Sequence, residues 1–173
     1  MFTKILEKKT NLKRASRLYK NALAQSRLPI FYEKYDVPDS IDGRFEMIAL
    51  HVFIILHRLK QDDSRDDGLS QALFDHMFRD LDHALREMGI GDLGVGRRVK
   101  AMAKAFYGRI AAFEGGLDNE KELSEAILRN VFRGQEMKAP NAIKLTKYLK
   151  RQVAHLSNLE NAELFSTNDL FEN

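Results

Sequence analysis

Four side chains on one predicted helix have the types and spacing to hold a metal ion. His76, Asp80, His83 and Glu87 recur at i, i+4, i+7 and i+11 and so share one helical face. Imidazoles and carboxylates in one column suit a divalent cation. The neighbouring column, Asp75, Arg79, Asp82 and Arg86, alternates in sign, which is the pattern of ion pairing along a wetted surface. No second helix offers ligands to complete a coordination sphere, so the column is read as polar surface and no metal is expected. Gly89-x-Gly91-x-x-Gly94 has the spelling of a dinucleotide fingerprint. That motif works only when a β-strand precedes it and a helix N-terminus follows, aimed at a pyrophosphate. A helical pattern precedes these glycines, so they are read as a helix-terminating turn. His51, inside an apolar stretch, is read as a hydrogen-bonded core histidine rather than a haem ligand. The acidic segment Asp62–Gly68 fails as an EF-hand: its sixth position is Asp67 rather than Gly and its twelfth is Leu73 rather than Glu. There is no Gly-Lys-Ser/Thr, no nucleophile motif and no carboxylate pair set apart from surface charge. Neither an enzyme nor a cofactor is expected.

Composition narrows the rest. The 173 residues include no Cys, which excludes disulfides, thiol nucleophiles and cysteine-held clusters. With 44% hydrophobic and 31% charged residues the chain reads as one soluble domain. The longest apolar run, Met47–Leu56, is interrupted by His51 and is too short to cross a bilayer, which takes about 20 residues. Lys4, Glu7, Lys8 and Lys9 stand where a signal peptide needs apolar residues. Charge is unevenly spread. Residues 1–27 carry eight basic side chains against the single acid Glu7, leaving a mildly acidic body. Residues 158–173 hold Glu160, Glu163, Asp169 and Glu172 and no basic residue, so they are expected to form a frayed acidic tail.

The periodicities predict helices only. In the arm, residues 1–30, the apolar positions Phe2, Ile5, Leu6, Leu12, Tyr19 and Leu23 have helical spacing opposite a basic face. Leu28-Pro29 ends it, because a residue before Pro avoids the α region. Residues 44–60 are apolar nearly all round and are expected as the buried central helix, capped by Ser40 or Asp42. Leu69, Leu73, Phe74, Met77, Phe78, Leu81, Leu85 and Met88 keep a 3.6 period and give the core face of the next helix. Gly89 is expected in the left-handed region, and Gly89–Gly96 as the link to a helix ending at Gly115-Gly116. Leu123, Ile127 and Val131 mark another helix. Pro140 opens a last one, whose core face is Ala142, Leu145, Leu149, Val153 and Leu156. No segment alternates with period 2. The expected fold is an all-α, single-domain irregular bundle of six to seven helices with a basic amphipathic N-terminal helix; residues 31–157 form its main domain.

The run Leu73–Phe113 resembles the signature of the ubiquinol–cytochrome c chaperone family. The pieces that carry the likeness are Asp82…Leu85-Arg86-Glu87-x-Gly89-x-Gly91-Asp92, then Val95-Gly96-x-x-Val99-Lys100, then Phe106-Tyr107-Gly108-Arg109. The upstream segment Gly43–Leu59 is similar too, and together they span most of residues 31–135. The resemblance implies a helical assembly factor for the cytochrome bc1 complex, respiratory complex III, that binds newly made cytochrome b while it matures. Mitochondrial members act with a small partner subunit and associate with the mitochondrial ribosome. The short chain, without a long extension or an anchor, leans toward an α-proteobacterial homologue. Its expected place is the cytoplasm, peripheral to the inner membrane, or the matrix side if the source is eukaryotic.

On this reading the client-binding face is Asp82, Arg86, Asp92, Lys100, Lys104, Tyr107 and Arg109, polar positions inside the matching motif. Gly89 and Gly91 serve turn geometry, and Gly108 a close helix approach. In the arm, Lys13, Arg14, Arg17 and Lys20 are the residues expected to touch a membrane or a ribosome. An anionic membrane and ribosomal RNA suit them equally. The alternative function is an RNA- or ribosome-binding module acting through this arm. No small-molecule substrate is expected.

Overall fold

The computed structural model describes residues 2–62 and 67–172, with side chains from Ile5 onward in the first stretch and from Gly68 onward in the second. Most of the expected loop at 62–68, and the side chains of Phe2 and Lys4, lie outside the described residues. The helix that is apolar on nearly every side lies at the centre of the packing. It forms α3 (Ile41–Lys60), and Ser40 caps it by accepting from the Gly43 amide at 3.1 Å. Met47, Leu50, Val52, Ile54 and Ile55 on α3 are fully buried. Each such side chain contributes about 1.5–3 kcal/mol on burial.

Around it lie α1 (Phe2–Ser26), α2 (Pro29–Glu33), α4 (Asp67–Glu87), α5 (Asp92–Gly116), α6 (Glu120–Asn130), α7 (Ala139–Asn158) and α8 (Asn161–Ser166). A 3-10 turn, Glu136–Lys138, leads into α7. No strand occurs among the described residues. α1 packs on α3 and α4, α5 and α7 pack on α3, and α6 bridges α5 and α7. Among the described residues six helices are of eleven residues or longer, and α2 and α8 are short helices of five and six residues beside them. α5 begins at Asp92, so only residues 88–91 form the turn after α4, and Gly94 and Gly96 are helical. Gly89 takes φ +82°, as a chain reversal there requires.

At the N-terminus the core face is not the aliphatic stripe, and at the C-terminus an expectation is corrected. On α1 the buried side is Asn11, Ala15, Leu18, Tyr19 and Ala22, whereas Ile5, Leu6 and Leu12 are exposed at 58%, 63% and 46%. The aliphatic stripe and the core stripe are different faces of one helix, and only Tyr19 of the former is fully buried. Residues 158–172, expected as a frayed tail, instead return to the bundle. Leu164, Leu170 and Phe171 are buried. The Leu170 amide donates to Asn21 Oδ1 at 3.1 Å, and Gln152 exchanges two hydrogen bonds with the Glu172 backbone at 2.7 and 3.0 Å. Three apolar side chains outweigh the acids, which stay at the surface.

A polar chain crosses the core. Gln25 Nε2 donates to Tyr148 Oη at 3.1 Å, and Tyr148 lies 2.7 Å from His51 Nε2. His51 Nδ1 lies 2.7 Å from the Met47 carbonyl. A carbonyl only accepts, so Nδ1 carries the proton and Nε2 accepts from the Tyr148 hydroxyl. The ring is neutral, and burial pushes its pKa down to about 4. Every polar atom of this imidazole is satisfied by protein, which is the arrangement of a core histidine.

Candidate functional site

Two hollows that share Phe45 and Met102 as walls, together called the trough, lie beside the N-terminal half of α3. Its first part, about 500 Å³, lies between the end of α1, the start of α3 and the end of α4. Phe45, Ile48, Leu81, Leu85 and Met102 form apolar walls, and Met88 stands at 59% exposure where the core periodicity would have buried it. Arg27, Asp39, Arg44 and Asp80 give the rim charge of both signs. The second part, about 460 Å³, runs between α3, α5 and the end of α6, and Phe45 and Met102 wall both. Its lining is more basic, with Arg109, Arg129 and Arg133 facing Asp42 and Glu46.

The rim is braced from within the bundle. Arg44 Nε donates to Asp39 Oδ1 at 2.7 Å and holds that carboxyl below its ordinary pKa. Tyr32 donates to the Ser26 carbonyl at 2.8 Å, and burial pushes its phenol up. Tyr19, from the core side of α1, donates to Asp80 Oδ2 at 2.7 Å. Gly43 lets the Pro38–Ser40 loop lie on α3: a Cβ there would sit 1.9 Å from the Pro38 carbonyl oxygen. Asp42 pairs with Arg133 across the second part.

The sequence-predicted client residues fall into three places. Asp82, Arg86 and Asp92 come together at the α4–α5 turn, where the Arg86 guanidinium donates to both carboxylates. The two acids push the Arg86 pKa up. Lys100, Lys104 and Tyr107 follow one exposed stripe of α5 with Leu93, which is 86% exposed. No carboxylate pairs with either lysine among the described residues, and the Tyr107 ring lies 5.4 Å from that of Phe74. Arg109 belongs to neither group. It lies in the trough and grips Glu46 with two hydrogen bonds, one of 2.9 Å from Nε to Oε2. The Glu46 side chain is only 7% exposed and that of Arg109 20%. Burial pushes the Glu46 pKa up and outweighs the neighbouring guanidinium. Gly108, expected at a close helix contact, faces open space, and the close approach is made by Gly116 against the Leu123 backbone.

The basic arm is likewise divided. Arg14 stacks over the Phe165 ring at 4.4 Å, and Arg17 donates to the Phe165 carbonyl at 2.9 Å. Both are tied to α8, while Lys13 and Lys20 are exposed and line the hollow beside that contact. The column His76, Asp80, His83, Glu87 is dispersed: Asp80 accepts from Tyr19, His76 packs on the Tyr19 ring at 5.0 Å, and His83 pairs with Glu87 at 3.3 Å. The Gly89–Gly94 run follows a helix, so the strand that a dinucleotide site needs is missing from that place.

A family model described as ubiquinol–cytochrome C chaperone matches residues 33–171. The chain belongs to the ubiquinol–cytochrome c chaperone family. It is 26% identical over 157 residues to the ubiquinol-cytochrome-c reductase complex assembly factor 1 of Xenopus laevis, covering 90% of this chain and 78% of that protein. The human factor of the same name is 23% identical over 157 residues, covering 90% of this chain and 52% of that protein. The chain thus spans about half the length of its human relative. The crystal structure of the Cbp3 homolog from Brucella abortus matches with a TM-score of 0.78 at 33% identity, over 99% of this chain and 100% of that one.

This family is one of assembly factors for ubiquinol–cytochrome c reductase, complex III. Most of the trough lies inside the span shared with the chaperone family, and α1 lies outside it. No described helix is long and apolar enough to cross a membrane. Sequence reasoning missed Tyr32, Arg44, Phe45, Ile48 and Met102 as site residues. Their apolar members belong to the core periodicity, and nothing in a periodicity separates a residue facing a groove from one facing another helix. The usable signal was Met88, one residue before the turn glycine.

Proposed function

We propose that the chain is a non-enzymatic assembly chaperone that holds newly made cytochrome b, with the trough as the principal grip. The observation that carries this reading is a pair of adjoining hollows, the first apolar-walled and the second mostly charged, with a rim of both signs and mostly inside the chaperone-family span. A membrane protein awaiting assembly presents apolar helices that end in charged loops. An apolar floor takes up the first and a mixed rim the second, and neither requires bond chemistry. Flexible Met88 and Met102 suit a floor that must accommodate different apolar surfaces. Lys100, Lys104 and Tyr107 offer a second contact line on the outer side of α5, open to acidic loops. Asp82, Arg86 and Asp92 set the turn between the two helices that carry these surfaces. The place of action on this reading is the inner-membrane surface where cytochrome b is inserted.

The test is photo-crosslinking in cells from a probe residue placed at Arg44 or Met88, compared with one at exposed Lys121 on α6. Capture of cytochrome b from the trough positions and not from α6 is the expected result. Met88 is exposed, so Met88→Glu leaves folding intact and is expected to abolish that capture. Capture only from α6, or undiminished capture by Met88→Glu, refutes the assignment.

A further inference from the structure

The first turns of α1 stand clear of the bundle. Every side chain from Ile5 to Thr10 is exposed, and burial begins only at Asn11. At 1.5 Å per residue this is a projection of about 9 Å. It carries aliphatic side chains that nothing among the described residues covers: Ile5 and Leu6 are each more than half exposed, and Leu12 lies on the same side. At 100° per residue Ile5, Leu6, Lys9, Leu12 and Lys13 occupy an arc of about 120°, turned away from the Ala15, Leu18 and Ala22 face that packs on α3 and α4. Glu7, the only acid of the arm, falls outside that arc.

We infer that this face of α1 is an in-plane membrane anchor that seats the protein on an anionic lipid surface, with Ile5, Leu6 and Leu12 entering the interface and Lys9 and Lys13 meeting the headgroup phosphates. The inference does not depend on the client groove, which lies elsewhere on the fold. The chemistry selects lipid over the other occupants of a basic helix. Three aliphatic side chains interleaved with lysines are what an interfacial helix buries, and long lysine stems lie along the apolar layer while their ammonium groups reach phosphate. Ribosomal RNA would use stacking surfaces and arginine forks, but residues 5–13 hold no aromatic residue and no arginine. Arg14 and Arg17, which a nucleic acid would engage, are held by Phe165 of α8. A second copy of the chain would bring a like-charged helix against this one. No helix of the described residues can span a bilayer, so attachment here lies on the surface rather than through it.

The experiment is co-sedimentation of the full chain with phosphatidylcholine vesicles, with and without phosphatidylglycerol, at moderate salt. Wild type is expected on the anionic vesicles. The triple variant Ile5→Ser, Leu6→Ser, Leu12→Ser is expected to bind them at least about ten-fold more weakly, because the apolar part of the interfacial contact is gone. Its thermal midpoint stays that of wild type, since all three side chains are exposed. Lys9→Glu with Lys13→Glu is expected to lose binding to the anionic vesicles as well. Equal binding by the serine variant, or equal binding of wild type to neutral vesicles, overturns the inference. So does a wild-type dimer that the serine substitutions dissociate, which would make the face a contact between copies. RNA binding that displaces the vesicles and ignores the serine substitutions overturns it too. Cytochrome b capture from Arg44 or Met88 reports on the groove separately, so the two readings stand or fall apart.

Discussion

Arg109 separates two views of how this family's charged motif works. Its place beside Phe106-Tyr107-Gly108 invites a client-binding role, yet its guanidinium is spent on Glu46 inside the wall of the trough. Consider Arg109→Ala. The Glu46 side chain is 7% exposed and would lose both of its hydrogen-bond donors. Breaking a buried pair from one side costs about 3–5 kcal/mol, and the partial exposure of Arg109 sets the lower end, about 3 kcal/mol. For a chain of this size that is a fall in thermal midpoint of about 6–12 °C. The effect carries a pH signature. Burial already raises the Glu46 pKa above its unfolded value, so the folded protein holds the proton more tightly and is relatively favoured as pH falls. Removing Arg109 raises that pKa further. The stability gap between wild type and variant is therefore widest at neutral pH and shrinks toward pH 5 as Glu46 protonates. The assay is thermal or urea unfolding of both proteins at the two pH values. Glu46→Gln with Arg109→Ala should recover part of the loss. A variant with wild-type stability and no client capture would refute the structural assignment and return Arg109 to the client face.

Other consequences are as direct. Unfolded His51 takes up a proton below pH 6.5, whereas the folded ring stays neutral down to about 4, so stability falls as pH drops through that window, by up to about 3 kcal/mol. His51→Leu is expected to be less stable at pH 7, where Tyr148 loses its acceptor, but to have a flatter stability profile between pH 6.5 and 4; parallel profiles would contradict the buried neutral ring. Gly43→Ala is expected to cost about 1–3 kcal/mol by pushing the Pro38 carbonyl off α3, while Gly108→Ala, with open space at its Cβ, is neutral or gains about 0.5–1 kcal/mol from helix propensity. Urea midpoints measure both, and a reversed order would contradict the contact. Deleting residues 169–173 removes buried Leu170 and Phe171 and is expected to destabilise the protein by about 4 kcal/mol; an unchanged midpoint would return the segment to a frayed tail.

The helical architecture was legible because its signals are periodic and strong. The α3 stretch is apolar on every side, the α4 stripe runs unbroken from Leu69 to Leu85, and Gly89 must reverse the chain. The C-terminal segment was misread because its charge was weighed and its few apolar residues were not placed, while at the N-terminus the aliphatic stripe was legible and the core face was not. Leu164, Leu170 and Phe171 draw the acidic segment onto the bundle, and Ala15, Leu18 and Ala22 give α1 a core face separate from its aliphatic one. The site was legible only in part. The turn at Gly89 and the exposed lysines of α5 can be read from spacing. The trough cannot, because it is a gap between helices distant in sequence, and its walls carry the same residue types as the core.

The placement of charge follows from this division. Charged side chains of the family motif are conspicuous in a sequence because they interrupt an apolar periodicity, but a buried interruption must be neutralised within the fold. Arg109 meets Glu46 across 63 residues of chain, and Arg58, buried at the far end of α3, meets Asp62, Asn161 and the Leu159 carbonyl. These pairs spend their charge on one another and fix where helices cross. On the proposed reading, the side chains left to engage a client are those the fold does not pair: Lys100 and Lys104, which no described carboxylate answers, and Met88, which ends a core stripe without entering the core. Function, on that proposed reading, belongs to surface that the fold leaves unsatisfied. Variants at the paired arginines should act on capture through stability, and variants at Met88 or the α5 lysines without it.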